Sequence, residues 1–274
     1  MKKNNRQLVA YLLMAVAVVL TLFPVFWVAS ISFKGQQEWY AHPIHWLPSF
    51  PTLANYEAVF ANPLGVRAIY NSLIVTFSAT VMAMLVGFPA AYAISRYRTR
   101  RFSLFVLPLI VRASPAIVFA IPLLVFYASV GLLDTLQALI PVYVGTTVFY
   151  FIWLVKPFID AVPHEIEEAA MVDGVKRWRL PFNVVLPIVL GGVAAATIFV
   201  FIMNWTEFVL ALMLTRLDAR TIPVQMTTIT SLYSVQGHGQ DAAVSTVSII
   251  PFLFVAYFLQ KQLVRAFYLG TAKR

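Results

Sequence analysis

The chain has no cysteine, few charges and none of the common nucleotide-binding loops. The lack of cysteine excludes a disulfide framework and thiolate metal sites, and is silent on compartment. Asp and Glu total 11 against 20 Lys and Arg in 274 residues; 11% of the residues are charged and 61% hydrophobic. With a mean hydropathy of +0.81, that leaves too little polar surface to cover one or two soluble domains, so the composition indicates an integral membrane protein. No Gly-x-x-x-x-Gly-Lys-Ser/Thr loop, dinucleotide fingerprint or hydrolytic triad occurs, so no catalytic residue is nominated and any energised work draws on a partner or an ion gradient. His42 and His45 have no Cys or carboxylate cluster around them, and His164 and His238 stand isolated from other histidines, so no metal site is expected. Asn204-Trp205-Thr206 matches a glycosylation sequon but falls inside an apolar run and is a chance match.

What the chain does have is apolar runs of spanning length. Residues 7–33, 68–95, 135–155 and 242–260 carry no charge, while 102–133 and 180–215 are each interrupted once, by Arg112 and Glu207. A ~30 Å hydrocarbon core needs roughly 20 helical residues, so the expected fold is all-α with six transmembrane helices, near 8–33, 68–95, 103–127, 135–156, 184–214 and 242–262. The first run is far longer than a signal-peptide core and is expected to stay as a span. Six crossings put both termini on one side. Lys2, Lys3, Arg6, Arg96, Arg98, Arg100, Arg101, Lys156, Lys176, Arg177, Arg179, Lys261, Arg265, Lys273 and Arg274 share that side, against Lys34, Arg67, Arg216 and Arg220 opposite. The positive-inside rule makes the shared side cytoplasmic, so the net charge of +9 reports topology and no nucleic-acid partner is expected.

Between the first two spans, Pro43, Pro48, Pro51 and Pro63 argue against regular helix, and Trp39 and Trp46 suit a membrane interface. The fourth and fifth spans are joined by an island of charge at 163–187. Pro163 suits a helix start, and Glu165, Glu167 and Glu168 complement the N-terminal end of the dipole. Ala169 and Ala170 form a small face open to close approach; Gly174 can take φ > 0 and end the helix; Lys176, Arg177 and Arg179 follow where positive charge is favoured. On residue chemistry alone this is either a solvated loop or a docking element.

The island resembles the "EAA" loop of permease subunits of binding-protein-dependent ATP-binding-cassette importers. The pattern is Glu168-Ala169-Ala170, then Gly174, then Val184-Val185-Leu186-Pro187, with Val184 where Ile is usual. The likeness continues in Asn55-Tyr56, Asn71-Ser72-Leu73, Ala90-Ala91-Tyr92-Ala93 with Arg96, Gly131-Leu132-Leu133-Asp134-Thr135, Pro163-His164-Glu165, Asn204-Trp205-Thr206-Glu207-Phe208 and Gln260-Lys261-Gln262-Leu263-Val264-Arg265. It points to the carbohydrate branch, similar to the second permease of maltose and polyol transporters. The resemblance implies a single permease domain over 1–274 and a coupling helix seated on a cytoplasmic ATPase through Glu165, Glu168, Ala169, Ala170, Asp173, Gly174, Leu186 and Pro187. It also implies a homologous second permease, two ATPase subunits holding ATP and Mg, an extracytoplasmic solute-binding protein, and residence among the lipids of a bacterial inner membrane. No cofactor is expected on this chain. The sequence departs from the pattern at Pro181 and Phe182-Asn183, which predicts a shortened or kinked helix after Gly174, and in the tail 266–273.

Ionisable residues inside spans are expensive and are candidates for function. Glu207, with Asn204 and Trp205 a turn away, either lines a polar path, offering a carboxylate and an indole to a sugar, or packs against the partner permease. Arg112 either forms an ion pair or carbonyl contacts, or faces an anionic substrate. Asn71, at the entry to the second span, completes the candidate path. The competing readings are an importer permease for a polyol or phosphorylated glycerol, an ion-coupled secondary transporter, and a membrane-embedded enzyme. The last two are disfavoured by the lack of inverted repeats and of a catalytic constellation.

Overall fold

The structure, a computed structural model, describes residues 2–39, 41–97, 116–231 and 237–271, with side chains for 7–39, 41–97, 116–227 and 238–260. Its elements are α1 (Lys2–Ser32), a 3-10 turn (Gln36–Glu38), α2 (Ala54–Ala61), α3 (Pro63–Arg96), α4 (Ala116–Ser129), α5 (Leu136–Asp160), α6 (His164–Val172), a 3-10 turn (Arg177–Arg179) and a π-helical turn (Pro181–Val185). α7 (Leu186–Trp205), α8 (Val209–Leu214), α9 (Ile222–Ser231) and α10 (Gly237–Thr271) follow. The described residues are all-helical outside loops, with no strand, as expected where backbone groups must be satisfied within each segment.

Among the described residues, five helical segments are long and apolar enough to cross a membrane: Gln7–Ser32, Pro63–Arg96, Leu136–Asp160, Arg177–Trp205 and His238–Gln260. The third expected span is represented by α4, a shorter apolar helix of 14 residues; Arg112 and the rest of that run lie outside the described residues, as do Arg98, Arg100, Arg101 and the end of the tail. Two expectations need correction. The run at 184–214 is not one helix: α7 ends at Trp205 and α8 restarts at Val209, because Glu207 Oε1 accepts the Leu210 N–H at 3.0 Å and so starts a new helix. The prolines of 34–66 do not exclude helix either, since α2 fits between Pro51 and Pro63.

The chain forms two compact units, 1–66 with 225–250 and 67–224 with 251–274. In the first, the loop after α1 is organised by Lys34, only 2% exposed. Its ammonium donates to the His45 carbonyl and lies 4.5 Å from the Trp27 ring centroid. Asn55 Nδ2 donates to the carbonyls of Ser32 and Lys34, both at 2.9 Å, and Glu38 accepts the Ser49 and Phe50 N–H groups at 2.8 and 3.2 Å. These two backbone donors hold the Glu38 carboxyl below its usual range. The apolar side chains of α1, Leu8, Leu12, Leu20 and Phe23 among them, are exposed, a surface suited to lipid or another membrane subunit.

The second unit packs α3, α5 and α7 around Ala83, Phe88, Phe151, Ile152, Val155, Val189, Val193 and Val200. A second cluster joins α3, α4, α5 and α8 through Val75, Ala79, Ala120, Leu139, Tyr143, Leu210 and Leu214. Close approach depends on missing side chains: a Cβ on Gly87 would lie 2.7 Å from Phe151 Cδ1, and one on Gly192 2.3 Å from Phe158 Cγ, the small-residue device of membrane helices. Phe151 is fully buried and has no room to move. Gly87→Ala should therefore cost about 1–3 kcal/mol and lower the melting temperature in detergent. Gly145→Ala, which meets nothing within 4 Å, should leave it unchanged or slightly raised.

Candidate functional site

The charged island folds as a short helix with a defined stop. Pro163 is the N-cap of α6, Glu165 and Glu167 lie in its first turn, and Asp173 is the C-cap. Gly174 has φ of 91°, and its N–H reaches the Met171 carbonyl at 3.0 Å while Val175 N–H reaches Ala170 at 2.9 Å. This pair of bonds is a Schellman ending, which requires the left-handed residue that Gly174 supplies. After Gly174 the chain does not resume α-helix at once. Arg177–Arg179 form a 3-10 turn and Pro181–Val185 a π-helical turn that runs into α7, so the departure at Pro181 is accommodated by widened helix. Leu186 and Pro187 open α7, Leu186 packed on the core and Pro187 exposed.

The two faces of α6 differ. Glu165, Ile166, Glu168, Ala169 and Val172 are exposed, Val172 at 88%. Ala170, Met171 and Val175 pack on the core of the second unit, and Glu167 is buried at 5% exposure. Nine residues are too few for a stable isolated helix, so this packing and Glu167 hold α6 in place. Glu167 Oε1 accepts Arg96 Nε at 2.5 Å and Oε2 accepts the Tyr92 hydroxyl at 2.5 Å; both side chains of the ion pair are 7% exposed. Arg96 Nη2 also donates to the Val162 carbonyl at 2.8 Å, so one guanidinium grips both α6 and the turn that enters it. Beside it, Ser95 Oγ donates to Asp160 Oδ1 at 2.6 Å, and Lys156 pairs with Asp160 at 2.6 Å. Reading from sequence grouped Glu167 with its neighbours as a dipole charge and did not nominate it. The available signal was its i+3 and i+4 spacing to Ala170 and Met171 on one helix face.

The described candidate path residues each have partners within the chain, and Arg112 lies outside the described residues. Asn71 Nδ2 donates to the carbonyls of Asp218 and Arg220 at 2.8 and 2.9 Å. Asn204, buried, donates to Thr80 Oγ1 at 3.2 Å. Trp205 stacks on Phe201 with centroids 5.8 Å apart, and Glu207, just before the N-cap Phe208, accepts the Leu210 N–H in the first turn of α8. Trp205 and Glu207 are part-exposed.

Asp134, whose role was not foreseen, organises the loop after α8. It sits at φ of 59°, and its carboxylate accepts the N–H groups of Arg216, Leu217, Asp218 and Ala219 at 2.8–3.0 Å. Its sequence signal was the Gly131–Thr135 motif, with Gly131 also at positive φ and Thr135 capping α5. The same loop is held from α3 by Asn71, by Ser72 Oγ accepting Ile222 N–H at 2.8 Å, and by the Arg67–Asp218 ion pair.

With this geometry in view, residues 83–267 match the family described as binding-protein-dependent transport system inner membrane component. The chain belongs to that family. It is 32% identical over 271 residues to the probable ABC transporter permease protein y4oR of Sinorhizobium fredii, covering 99% of this chain and 97% of the relative. It is 31% identical to the sulfoquinovosyl glycerol transport system permease protein SmoH of Agrobacterium fabrum, covering 92% and 89%, and 29% identical to the trehalose/maltose transport system permease protein MalG of Thermococcus litoralis, covering 93% and 92%. A solved bacterial ABC transporter involved in import of the acidic polysaccharide alginate has the same fold, with a TM-score of 0.77, 21% identity and coverage of 95% of this chain and 97% of that one.

The family match takes in Arg96, Asp134, α6, Asn204 and Glu207, while Asn71 precedes it. Among these permease residues Asp134 gives a prediction that pH can test. Burial of its carboxyl opposes ionisation, but the backbone donors of Arg216, Asp218, Leu217 and Ala219 outweigh it and hold the pKa down to about 2, from an ordinary 3.8. A lowered folded-state pKa stabilises above the unfolded value and is lost on acidification through the folded one. Stability should therefore fall as the pH drops below 4 through the Asp134 pKa of about 2, by about 1 kcal/mol once screening by solvent around this partly exposed carboxylate is allowed for. Asp134→Asn should be less stable at neutral pH and lack this acid step, read as melting temperature against pH.

Proposed function

We propose that this chain is the non-catalytic permease subunit of an ATP-driven importer, carrying a sugar or sugar derivative from an extracytoplasmic binding protein into a bacterial cytoplasm. The observation that carries the reading is α6: its acidic, small-residue face is exposed while its other face is fastened to the unit that contains most of the spanning helices. A helix of this kind, between the fourth and fifth expected spans and followed by Lys176, Arg177 and Arg179, fits a cleft on a cytoplasmic ATPase. On that face Ala169 permits close seating and Glu165 and Glu168 offer carboxylates to basic groups, while Ala170 is turned to the core.

In this reading both termini are cytoplasmic and the chain crosses six times, the third crossing comprising α4 and the apolar run before it. A bilayer-spanning helix needs roughly 20 residues, more than the 14 of α4. The complex contains a homologous second permease and two ATPases that bind ATP and Mg, and it sits in the inner membrane. Relatives named for sulfoquinovosyl glycerol, trehalose/maltose and diacetylchitobiose transport support a glycoside or sugar as cargo. Trp205 and Glu207, part-exposed at the break between α7 and α8, border the path in this proposal. Asn71 and Asn204 keep that break and the 215–222 loop in place through their internal hydrogen bonds.

The test is reconstitution with the second permease, ATPases and binding protein. Uptake should require hydrolysable ATP and persist when ion gradients are collapsed. Glu168→Lys should insert normally yet lower binding-protein-stimulated hydrolysis about tenfold or more, the loss of a charge-assisted contact of at least ~1.4 kcal/mol. Uptake driven by an ion gradient without ATP would refute the importer reading.

A further inference from the structure

The buried Glu167–Arg96 pair and the loop at 215–222 lie at opposite ends of one helix. α3 runs from Pro63 to Arg96, about 50 Å at 1.5 Å per residue. Its last turns supply Tyr92 and Arg96 to the Glu167 carboxylate. Its first turns supply Arg67 to Asp218, Asn71 to the carbonyls of Asp218 and Arg220, and Ser72 to the Ile222 N–H. Between these ends α3 is packed on both core clusters, through Val75 and Ala79 and through Ala83, Phe88 and Ala91.

We propose that Arg96 and Glu167 are positioning residues that fasten α6 to α3, so that displacement of α6 is delivered along α3 to the 215–222 loop clamped at its far end. The proposal rests on the reading of α6 as the ATPase-coupling helix and adds to it a route and an endpoint. Three features carry it. The pair is charged and nearly dry, so separating its members exposes each to an unpaired state that costs several kcal/mol; α6 and the end of α3 are therefore held to move together. The same guanidinium holds the Val162 carbonyl, which removes the hinge that the turn before α6 would otherwise provide. At the far end the loop is bonded through backbone carbonyls and N–H groups, so movement of α3 must shift its main chain or break several bonds at once. Asp134 holds the same loop at the same time through its N–H groups of 216–219, so the loop is the place where a shift of α3 meets a second, separate anchor.

The absence of cysteine allows a direct test. Leu217, exposed in the loop, is replaced by Cys, and its labelling by a membrane-impermeant maleimide is measured in proteoliposomes of the complete complex, resting and trapped with ATP and vanadate. Trapping should change the labelling rate about fivefold or more. In the Glu167→Gln background that ratio should fall below about twofold while the ATPase still co-purifies; a purely structural role would reduce yield or melting temperature and leave the ratio intact. Where Glu167→Gln alone fails to assemble, Arg96→Gln/Glu167→Gln, which leaves no unpaired charge, is measured and should show the same lost response. Glu168→Lys in the Leu217→Cys background separates the two readings. If it abolishes the response while Glu167→Gln retains the full parental ratio, the link through α3 is refuted and the coupling role of α6 stands. If both variants retain it, the coupling role fails and the link with it.

Discussion

Hydrocarbon tolerates neither an unpaired charge nor an unsatisfied backbone group, and that single constraint orders this molecule. Several polar side chains in or beside the spanning helices have internal partners: Asn204 on Thr80, Glu207 on the first turn of α8, Asn71 on two carbonyls. The charges cluster where the helices end. At one such end Arg96, Glu167 and Tyr92 form a compact buried group, and at another Asp134 takes four N–H groups from a loop that has no regular structure of its own.

In the proposed reading, this arrangement suits a helix as short as α6 to a mechanical role. Its Schellman ending and its buried face fix its position, and its outward face carries the residues that another protein would meet. Fixed on one side and free on the other, it can receive a force without dissipating it in its own unfolding. Isolated, nine residues would not hold a helix; here the Glu167–Arg96 pair and the packed inner face support it.

Much of this was legible from residues alone, for reasons that are local. The long uncharged runs became α1, α3, α5 and α10 because spanning length and lack of charge are properties of the run itself. Pro163 and Gly174 marked the ends of α6 because capping depends on one or two residues. What sequence did not disclose depends on distant partners. Glu167 reads like its exposed neighbours until Arg96, 71 residues away, is brought against it. Asp134 reads as a turn residue until the backbone of 216–219 arrives. Glu207 reads as an intruder in a span, and lies at a break in that span where its carboxylate accepts the Leu210 N–H of α8. Pro181 signalled a disturbed helix, but not that the disturbance would take the form of a π turn.

The central claim is that the exposed face of α6 meets an ATPase and follows its cycle. In a cysteine-free chain, Ala169→Cys places one thiol on that face, and site-specific cross-linking to a single cysteine in the cleft of the partner ATPase tests the claim within the assembled complex. The account predicts a cross-link whose yield changes between nucleotide-free and ATP-trapped states, with none from a cysteine at Leu217. A yield from Ala169→Cys no higher than that from Leu217→Cys, in a complex that still imports its solute, would contradict it.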